Sequence, residues 1–577
     1  FKLNITDDLN TQVTLAQQSY DWFDYGFTPS YNTGAIHGNS GRNSASRSYK
    51  KGDQYTFEWT GNYKKNFGQH SFNFLGGYSY NYFVYSGLSA GNQNFPSDVL
   101  TYNNLGSGQY NVTLPENAQQ ADYTFRSVGS YKNDSKLIAF FERLNYDFAK
   151  KYFVSLSWRY EGSSKFGYEN KWGFFPAASV GWNITKEDFF PESSWIGDLK
   201  LRADYGETGN QDFGSYLSLD TYTGFGFFTF NGNNYQVWGP AQNTNYKLQW
   251  EKAQNFNVGL DFDLLRSRIS GSANYYIRTN KDLLGYYNVS VPPNLQTNTF
   301  ANVGTMRNSG FEIQLNAKAI EKENFTYNIS FAGASNNNKF VSFSNDLYEG
   351  QNYQYMAYMG SPGNPGPAVR LEEGKRIGGF YMYKNAGIDD QGRLLVYNKA
   401  GEVIVGNQAN EDDKRFVGNG LPMYTASMGH YFTYKNFDLS IFFRGAFKYD
   451  IFNTTAFYIG TPSTQTGSNV LKSAYGSGKY AKLTNPDTYS TMSDYFLEKG
   501  DYVKIDNITL GYNFKQPFKN IESVRWYATV RNLHTFTKFS TGDPESVSVN
   551  GLTPGISTSL SYYPATMQIL TGLQVKF

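Results

Sequence analysis

A two-residue alternation of apolar and polar side chains constrains this chain more than any other feature. The segment MQILTGLQVKF (567–577) places its apolar side chains at the odd positions, and its even positions are mostly polar. The same alternation recurs in KYFVSLSWRYEG (151–162), NFNVGLDFDL (255–264) and FDLSIFFRGAFKY (437–449). Period-two alternation is the pattern of a β-strand with one apolar face. Segments of about ten such residues, with aromatic residues near their ends, predict strands of a transmembrane β-barrel.

The composition excludes several other classes of protein. No stretch approaches the roughly 18 consecutive apolar residues of a membrane-spanning helix, and we find no long amphipathic helix. The 577 residues include no Cys, which excludes disulfides, thiol nucleophiles and thiolate metal sites. With 51 basic and 49 acidic residues, the chain offers no electrostatic reason to bind nucleic acid. The prediction is therefore an all-β protein rich in aromatic residues.

The connections between the patterned segments are of two kinds, which alternate along the chain. Short turns are predicted at 7–10, 67–70, 147–151, 265–268, 320–324 and 434–436, and long polar loops at 86–135, 209–245, 341–420, 449–500 and 537–564. An up-and-down barrel of the outer membrane has this arrangement, with short periplasmic turns and long extracellular loops. A soluble propeller is the alternative, but it predicts regular repeats with similar loops at both ends.

Two features depart from the simplest barrel. We count about 17 strands, whereas single-chain bacterial barrels have an even number. Because the sequence starts inside a strand-like segment, FKLNITDD, we expect that residues preceding Phe1 are missing. Glu142 falls on the apolar side of its predicted strand, which either a β-bulge or a position near the membrane interface would explain.

Nine segments between residues 158 and 545 resemble stretches of the SusC/RagA family, the TonB-dependent outer-membrane transporters of the Bacteroidetes. The first, WRYEGSSKFG, is similar to that family's Arg-Tyr/Asp-Asp/Glu-Gly-Ser-Ser-Lys/Arg-Phe-Gly stretch. The nine, in the order expected for the family, are WRYEGSSKFG (158–167), WGFFPAASVGWNIT (172–185), LRADYGETGNQ (201–211), LQWEKAQNFNVGLDF (248–262), YYIRTNKDLL (275–284), NVGTMRNSGFEIQL (302–315), GLPMYTASMGHYFTYKNFDLSIFFRG (420–445), DYVKIDNITLGYNF (501–514) and VRWYATVRNLHTFTKFSTGDPE (524–545).

The resemblance implies an all-β, antiparallel up-and-down barrel of about 22 strands in the outer membrane, preceded by a plug domain. On this basis residues 1–577 are receptor barrel, incomplete at the N-terminus, and the plug and its Ton box are absent from the sequence. The implied partners are TonB with ExbB and ExbD, acting through the plug, a SusD-like surface lipoprotein, outer-membrane lipid and a second, paired barrel. Phe577 resembles the C-terminal aromatic residue that the outer-membrane assembly machinery reads.

The resemblance also implies active import without catalysis. The favoured substrate is an oligosaccharide, captured under the SusD-like lid and drawn through the barrel by TonB. An oligopeptide importer of the RagA-like branch and a non-importing barrel that scaffolds an envelope assembly are the alternatives. We predict no enzymatic activity and no catalytic residue, because no GxSxG, HExxH or P-loop motif is present. The four histidines also lack ligand spacing: His37, His70, His430 and His534.

Two loops carry the candidate binding residues. The loop YTGFGFFTFNGNNYQVWGP (222–240) is rich in rings and amides, which suit sugars because CH groups stack on rings and hydroxyls bond to amides. A loop that packs on a partner or on its neighbours is the alternative. The predicted substrate-binding residues are Tyr222, Phe225, Phe227, Asn233, Asn234, Tyr235 and Trp238.

The segment GIDDQGRLLVYNKAGEVI (387–404) occupies a place where relatives often carry a calcium-like loop. Asp389 and Asp390 are therefore candidate ligands of a structural Ca²⁺. Their spacing departs from that of an EF-hand, whose later bidentate Glu is missing, so a plain surface hairpin is the alternative. No other cofactor is predicted.

Overall fold

The computed structural model describes residues 1–31, 43–108, 127–191, 193, 195–343, 352–360, 365–462, 469–486, 491–557 and 565–577. These residues form one α-helix, α1 (Thr454–Ile459), several 3₁₀ turns and thirty strands. None of the helices in these residues is long and apolar enough to cross a membrane.

The strands, in chain order, are β1 (Lys2–Asn4), β2 (Leu9–Thr28), β3 (Ser44–Phe67), β4 (His70–Gln93), β5 (Ser127–Phe148), β6 (Tyr152–Ser163), β7 (Trp172–Asn183), β8 (Ile196–Asn210), β9 (Tyr222–Phe230), β10 (Asn233–Pro240), β11 (Glu251–Leu264), β12 (Ile269–Lys281), β13 (Leu284–Asn288), β14 (Asn298–Asn302), β15 (Thr305–Lys322), β16 (Phe325–Ser335), β17 (Asn337–Ser342), β18 (Tyr353–Met359), β19 (Gly366–Glu372), β20 (Gly379–Ile388), β21 (Leu394–Tyr397), β22 (Val403–Val405), β23 (Lys414–Asn419), β24 (Tyr424–Tyr434), β25 (Phe437–Phe447), β26 (Asp450–Phe452), β27 (Leu497–Lys499), β28 (Tyr502–Phe518), β29 (Ile521–Thr537) and β30 (Gln568–Lys576).

One large antiparallel sheet contains 18 of these strands, or 17 when β17 is counted as the continuation of β16. Each strand pairs with the next one along the wall, in the order β1 to β8, β11, β12, β15, β16, β24, β25, β28, β29 and β30. This is the up-and-down wiring that the alternation of turns and loops predicts, and the predicted strand count is confirmed. Within the described residues, no pairing joins the two edge strands β1 and β30.

The six predicted short turns are confirmed, and the wiring of the sheet places them all at one end of it. Three of them need only two residues. They join β3, which ends at Phe67, to β4 at His70, β15, which ends at Lys322, to β16 at Phe325, and β24, which ends at Tyr434, to β25 at Phe437. Gly68 has φ +58° in the first of these turns, a backbone conformation that glycine adopts without steric cost.

The predicted long loops contain more regular structure than we expected. β4 and β5 run well into the loop predicted at 86–135, of which residues 109–126 lie outside the described residues. The segment 209–245 holds the β9–β10 hairpin, 341–420 holds the sheet of β18–β23, and 449–500 holds β26, β27 and α1. Strands outside the membrane need no apolar outer face, so the alternation on which the prediction relied is absent there.

Two aromatic belts mark the outer face of β3–β7. In the lower belt, near the short turns, the ring centroids of Phe72 and Tyr146 lie 4.8 Å apart. In the upper belt, Tyr160 and Trp172 stack at 4.8 Å. On β5, Phe148 lies in the lower belt and Phe140 in the upper belt. In a strand tilted by about 40°, these two residues are separated by about 20 Å along the membrane normal. This height fits the apolar band of an outer-membrane barrel.

Glu142 lies between the two belts on the outer face, opposite Gly76 on β4 and Trp158 on β6. The register of β5 with both neighbours is continuous across this position, so the β-bulge explanation is wrong. Phe140 of the upper belt is only two residues away, and a carboxylate near the interface is less costly than one at the midplane. The explanation by a position near the membrane interface stays a prediction.

At the end of the sheet opposite the short turns, β18–β23, β26, β27 and α1 form a folded unit, which we call the extracellular cap. Its core buries large side chains, each worth about 1.5–3 kcal/mol when removed from water. Phe457 of α1 stands edge-on to Phe496 at 5.3 Å. The other large members of the core are Met359, Val369, Phe380, Met382, Leu394, Val396, Phe452, Tyr480, Leu483, Met492 and Ile556.

Candidate functional site

Paired polar side chains line the inner face of the large sheet. Arg202 on β8 donates from Nε to Asp261 Oδ2 at 3.0 Å and from Nη2 to Asn274 Oδ1 at 2.5 Å. Further along the same inner face, between β29 and β25, Arg525 Nε donates to Asp438 Oδ1 at 2.9 Å. The apolar residues of the same strands face outward, as the alternation predicts. The enclosed space is therefore polar and suited to a hydrated solute.

The loop that follows β29 folds back onto this inner wall. Ion pairs of Lys504 and Arg444 with Asp543 and Glu545 hold it there, and we call this group of four residues the β29–β30 clamp. Lys504 on β28 donates from Nζ to Asp543 Oδ2 at 3.1 Å and to Glu545 Oε2 at 2.7 Å. Arg444 on β25 donates from Nη2 to Glu545 Oε2 at 3.0 Å and from Nε to Asp506 Oδ1 at 2.6 Å. Lys504 is only 2% exposed, whereas Arg444 and Glu545 are partly exposed, so the clamp extends from a buried lysine to the solvated interior.

A buried carboxylate, Glu498 on β27, connects the cap to the segment after β29. It accepts hydrogen bonds from Lys479 Nζ at 2.6 Å, Asn453 Nδ2 at 3.2 Å and Ser540 N at 2.7 Å, and from the Tyr480 hydroxyl. Burial opposes ionisation of Glu498, but the hydrogen bonds from Lys479, Tyr480 and Ser540 outweigh it and lower its pKa to about 2. Glu498 is therefore ionised and serves as a structural junction of the cap.

The predicted aromatic loop is a β-hairpin, exposed on both faces, formed by β9 and β10. Gly226, at φ +51°, forms a bulge between the pairs Phe225–Val237 and Phe227–Gln236. The bulge divides the predicted residues between the two faces. Phe225, Asn233 and Tyr235 share one face, and Tyr222, Phe227, Asn234 and Trp238 share the other.

The five predicted aromatic residues of this hairpin are between 46% and 67% exposed. Asn234 accepts a hydrogen bond from Thr229 Oγ1 at 2.6 Å across the hairpin. No charged residue occurs from Thr221 to Tyr246. The hairpin therefore presents two uncharged aromatic surfaces instead of the single one that the sequence suggested.

A cavity of about 660 Å³, which we call the upper cavity, lies between the tall inner wall of β2–β5 and the segment that follows β8. Its wall carries Tyr20, Phe83 and Tyr85, together with the polar side chains of Gln54 and Asn133. Its other side is formed by Lys165, Asn210, Gln211, Asp212 and Phe213. Sequence reasoning missed these residues because they are far apart in the chain and fall partly in predicted loops.

The segment after β8 is fixed against the upper edge of β5. Tyr216 accepts a hydrogen bond from the backbone N–H of Asp134 at 3.0 Å and donates to its carboxylate, which raises the pKa of Tyr216. Lys165 Nζ donates to the carbonyl oxygens of Phe213 at 2.7 Å and Gln211 at 3.3 Å, and burial lowers its pKa. These bonds give the upper cavity a defined second wall.

The two candidate calcium ligands lie in a turn of the cap. Asp389 accepts from the backbone N–H of Gln391 and Arg393, and its Oδ2 accepts from Arg393 Nε at 2.7 Å. The backbone hydrogen bond from Arg393 is the main cause of the lowered pKa of Asp389. Within the described part of the chain, no group of three or more His, Asp or Glu side chains could hold a metal ion. The calcium site stays a prediction, without geometric support.

The histidines are dispersed, as their spacing suggested. His70 Nδ1 lies 2.9 Å from the Tyr146 hydroxyl in the lower belt, and His430 Nδ1 lies 2.8 Å from the Tyr327 hydroxyl. His534 packs against Phe536 at 4.5 Å. His37 lies outside the described residues.

The aromatic belts, the polar inner face and the tall extracellular side are those of an integral outer-membrane barrel. Residues 1–533 match the family described as TonB dependent receptor-like, beta-barrel, and the chain belongs to this family. The assignment confirms the predicted fold and outer-membrane location.

Its relatives include the TonB-dependent receptor SusC of Bacteroides thetaiotaomicron, which is 31% identical over 480 residues, or 79% of this chain and 45% of that protein. The TonB-dependent receptor P3 of Formosa agariphila is 28% identical over 547 residues, or 89% of this chain and 51% of that protein. The chain thus spans about half the length of the curated relatives that it matches. The SusC/RagA resemblance is confirmed by this homology.

Among solved structures, the RagAB peptide transporter superposes with a TM-score of 0.82 at 22% identity, over 100% of this chain and 61% of that one. At this identity the likeness establishes the fold alone.

Proposed function

We propose that this chain is the barrel of a TonB-dependent importer that carries an oligosaccharide across the outer membrane together with a SusD-like surface lipoprotein. Import is supported by the family assignment and by the polar inner face. The substrate class rests on one observation, the uncharged, aromatic β9–β10 hairpin on the extracellular side. Neutral sugars bind by stacking on rings and by hydrogen bonds to amides, and this hairpin offers both.

The proposed cycle makes and breaks no covalent bond. The hairpin and the lipoprotein lid capture the oligosaccharide, and TonB, with ExbB and ExbD, then acts on the plug domain that the resemblance implies. Substrate passes along the polar inner face. Pairing of two barrels and recognition of Phe577 by the assembly machinery belong to the same proposal and rest on the resemblance alone.

An oligopeptide is the second candidate substrate, because the fold matches that of a peptide transporter. Peptides carry charged termini and side chains, and their recognition calls for unpaired charges at the binding surface. The segment from Thr221 to Tyr246 has none, which favours the oligosaccharide.

The test is to purify the full-length receptor from the outer membrane in mild detergent and to identify the proteins that accompany it. Binding of neutral oligosaccharides and of a mixed peptide digest is then measured by titration calorimetry, and uptake is measured in cells with and without a protonophore. We expect an equimolar lipoprotein, oligosaccharide binding and protonophore-sensitive uptake. Peptide binding alone would favour the second candidate. A receptor that lacks the lipoprotein and sits in an unrelated envelope assembly would favour the scaffold.

A further inference from the structure

We infer that the upper cavity is a binding site for a segment of neutral oligosaccharide, in which Tyr20 and Tyr85 are the stacking platforms. This inference rests on the proposed function and assigns it a second site, on the inner wall. The cavity volume of about 660 Å³ lies within the range of roughly 300–1,000 Å³ that is typical of small-molecule sites.

The two tyrosines are held against the wall with their rings accessible. Tyr20 lies across Gly52, where an added Cβ would come within 2.2 Å of the ring, so only glycine allows this close approach. The Tyr85 ring centroid lies 6.4 Å from that of Tyr20, with the planes tilted by 43°. Tyr20 is 52% exposed and Tyr85 36% exposed. Rigid, partly exposed rings at an angle form a bent platform for the CH faces of successive sugar units.

Unused hydrogen-bonding groups lie beside this platform. The side chains of Asn133, Ser135 and Gln211 line the upper cavity and make no hydrogen bond to any other described residue. An amide provides both donors and an acceptor, and a hydroxyl provides one of each. This mixed set matches the hydroxyl groups of a sugar.

The charged groups around the upper cavity are mostly engaged already. Asp134 accepts from the Tyr216 hydroxyl, whereas the Asp53 side chain lies on the opposite face of the wall, where it accepts from Ser19 Oγ at 2.6 Å. Lys165 donates to two backbone carbonyl oxygens, and Asp212 lies close enough to Lys165 to stabilise its charge. Binding a charged ligand would require breaking these pairs, whereas a neutral ligand leaves them intact. The electrostatics of the cavity therefore favour a neutral polyhydroxyl ligand over a peptide.

The second wall of the cavity continues along the chain into the β9–β10 hairpin. Gln242, just after β10, donates from Nε2 to the carbonyl oxygens of Tyr216 at 3.0 Å and Leu219 at 2.9 Å. The base of the hairpin is thus tied to the segment that closes the cavity. A chain captured at the hairpin could extend from there to the inner wall.

The test uses the full-length receptor in detergent and a panel of neutral gluco-, manno- and xylo-oligosaccharides, from disaccharide to hexasaccharide, titrated by calorimetry. The test variant is Y20A/Y85A. The matched control is Y55A/Y82A, because Tyr55 and Tyr82 are a cross-strand pair on the opposite face of the same wall, with centroids 6.3 Å apart. We expect Y20A/Y85A to weaken binding by about tenfold or more and the control to change it by less than about twofold.

Two further variants keep the test valid if Y20A/Y85A folds poorly. Y20F/Y85F retains both rings and should bind nearly as well as the wild type, whereas Q211A removes only a loop amide and should weaken binding by roughly fivefold. If the wild type binds an oligosaccharide and neither Y20A/Y85A nor Q211A weakens it, the cavity assignment is overturned and the proposed function stands. If the wild type binds no member of the panel, both are overturned.

Discussion

Lys504 Nζ lies 2.7 Å from Glu545 Oε2, and this contact joins the inner wall of the barrel to the loop that returns from β29. Lys504 is 2% exposed, and Val547, just beyond Glu545, packs with Tyr449 and Phe539. Without Glu545, Lys504 would keep Asp543 and Arg444 would keep Asp506, but each cation would lose a charge-assisted hydrogen bond.

We therefore expect E545Q to destabilise the folded barrel by about 1–3 kcal/mol and to expose the β29–β30 loop to protease, because it weakens the hydrogen bonds to both cations. The double variant K504M/E545Q should be less destabilised than the two single variants added together, because both substitutions remove the same contact between Lys504 and Glu545. Thermal unfolding in detergent and mapping of cleavage sites provide the measurements. Additive effects of the two substitutions would show that the contact contributes little.

Protonation of Glu498 should weaken the extracellular cap. Its pKa is about 2 in the fold and 4.5 ordinarily, so the folded state favours the ionised form. The resulting stabilisation, on the order of 3 kcal/mol, is fully present above the ordinary pKa and is lost as the pH falls from about 5 towards 2. Wild-type protein should therefore unfold at lower temperature across this range.

The control for this prediction is E498Q, which cannot titrate. It should be less stable than the wild type at neutral pH and should show a flatter pH dependence below about pH 5. Parallel pH profiles of the two proteins would contradict the prediction.

Removal of the β9–β10 hairpin should separate binding from stability. We expect replacement of residues 223–239 by a short Gly-Ser linker to change the free energy of unfolding by less than about 0.5 kcal/mol, because the hairpin is exposed on both faces. Oligosaccharide binding should fall in the same protein. A stability loss as large as that of a core substitution would show that the hairpin packs on the barrel.

Adjacent residues on β11 test which face of the sheet meets lipid. Val258 faces outward, whereas Asn257 faces the interior and donates from Nδ2 to Asp204 Oδ2 at 3.1 Å. We expect V258R to destabilise the barrel by about 2–4 kcal/mol and N257R to be tolerated, because its cation meets Asp204 in a polar interior. Unfolding in lipid vesicles by urea measures both, and equal effects would place both residues in the same environment.

Substitution of Glu142 should stabilise the barrel. The carboxylate lies on the outer face opposite Gly76 and Trp158, and it makes no hydrogen bond to another described residue. We expect E142L to raise the free energy of unfolding by on the order of 1 kcal/mol, with E142Q between it and the wild type. A loss of stability in E142L, or a change in the number of associated barrels, would show that Glu142 contacts a protein partner.

The membrane-spanning part of the fold was predictable because the lipid and the polar interior together require a pattern that is visible in consecutive residues. Lipid requires an apolar outer face, and water in the interior requires a polar inner face. Segments such as 255–264 therefore alternate strictly between apolar and polar residues, and this alternation identifies them as strands. The short turns follow from the same pattern. The aromatic hairpin was recognised as a candidate site from its composition, but not as a strand pair, because both of its faces are aromatic and no alternation marks it.

Contacts between distant segments were decided only in the tertiary structure. The clamp joins β28 to a loop some 40 residues later, and Glu498 gathers donors from Asn453, Lys479 and Ser540. In the upper cavity, Tyr20 and Gln211 share one space although β3 to β8 separate them in the chain. Alternation along a strand determines the face of the sheet on which each side chain lies, so the sequence by itself determined the barrel wall. Which inward residues face one another across the enclosed space depends on strand order, register and loop packing, and these emerge only when the whole sheet has formed.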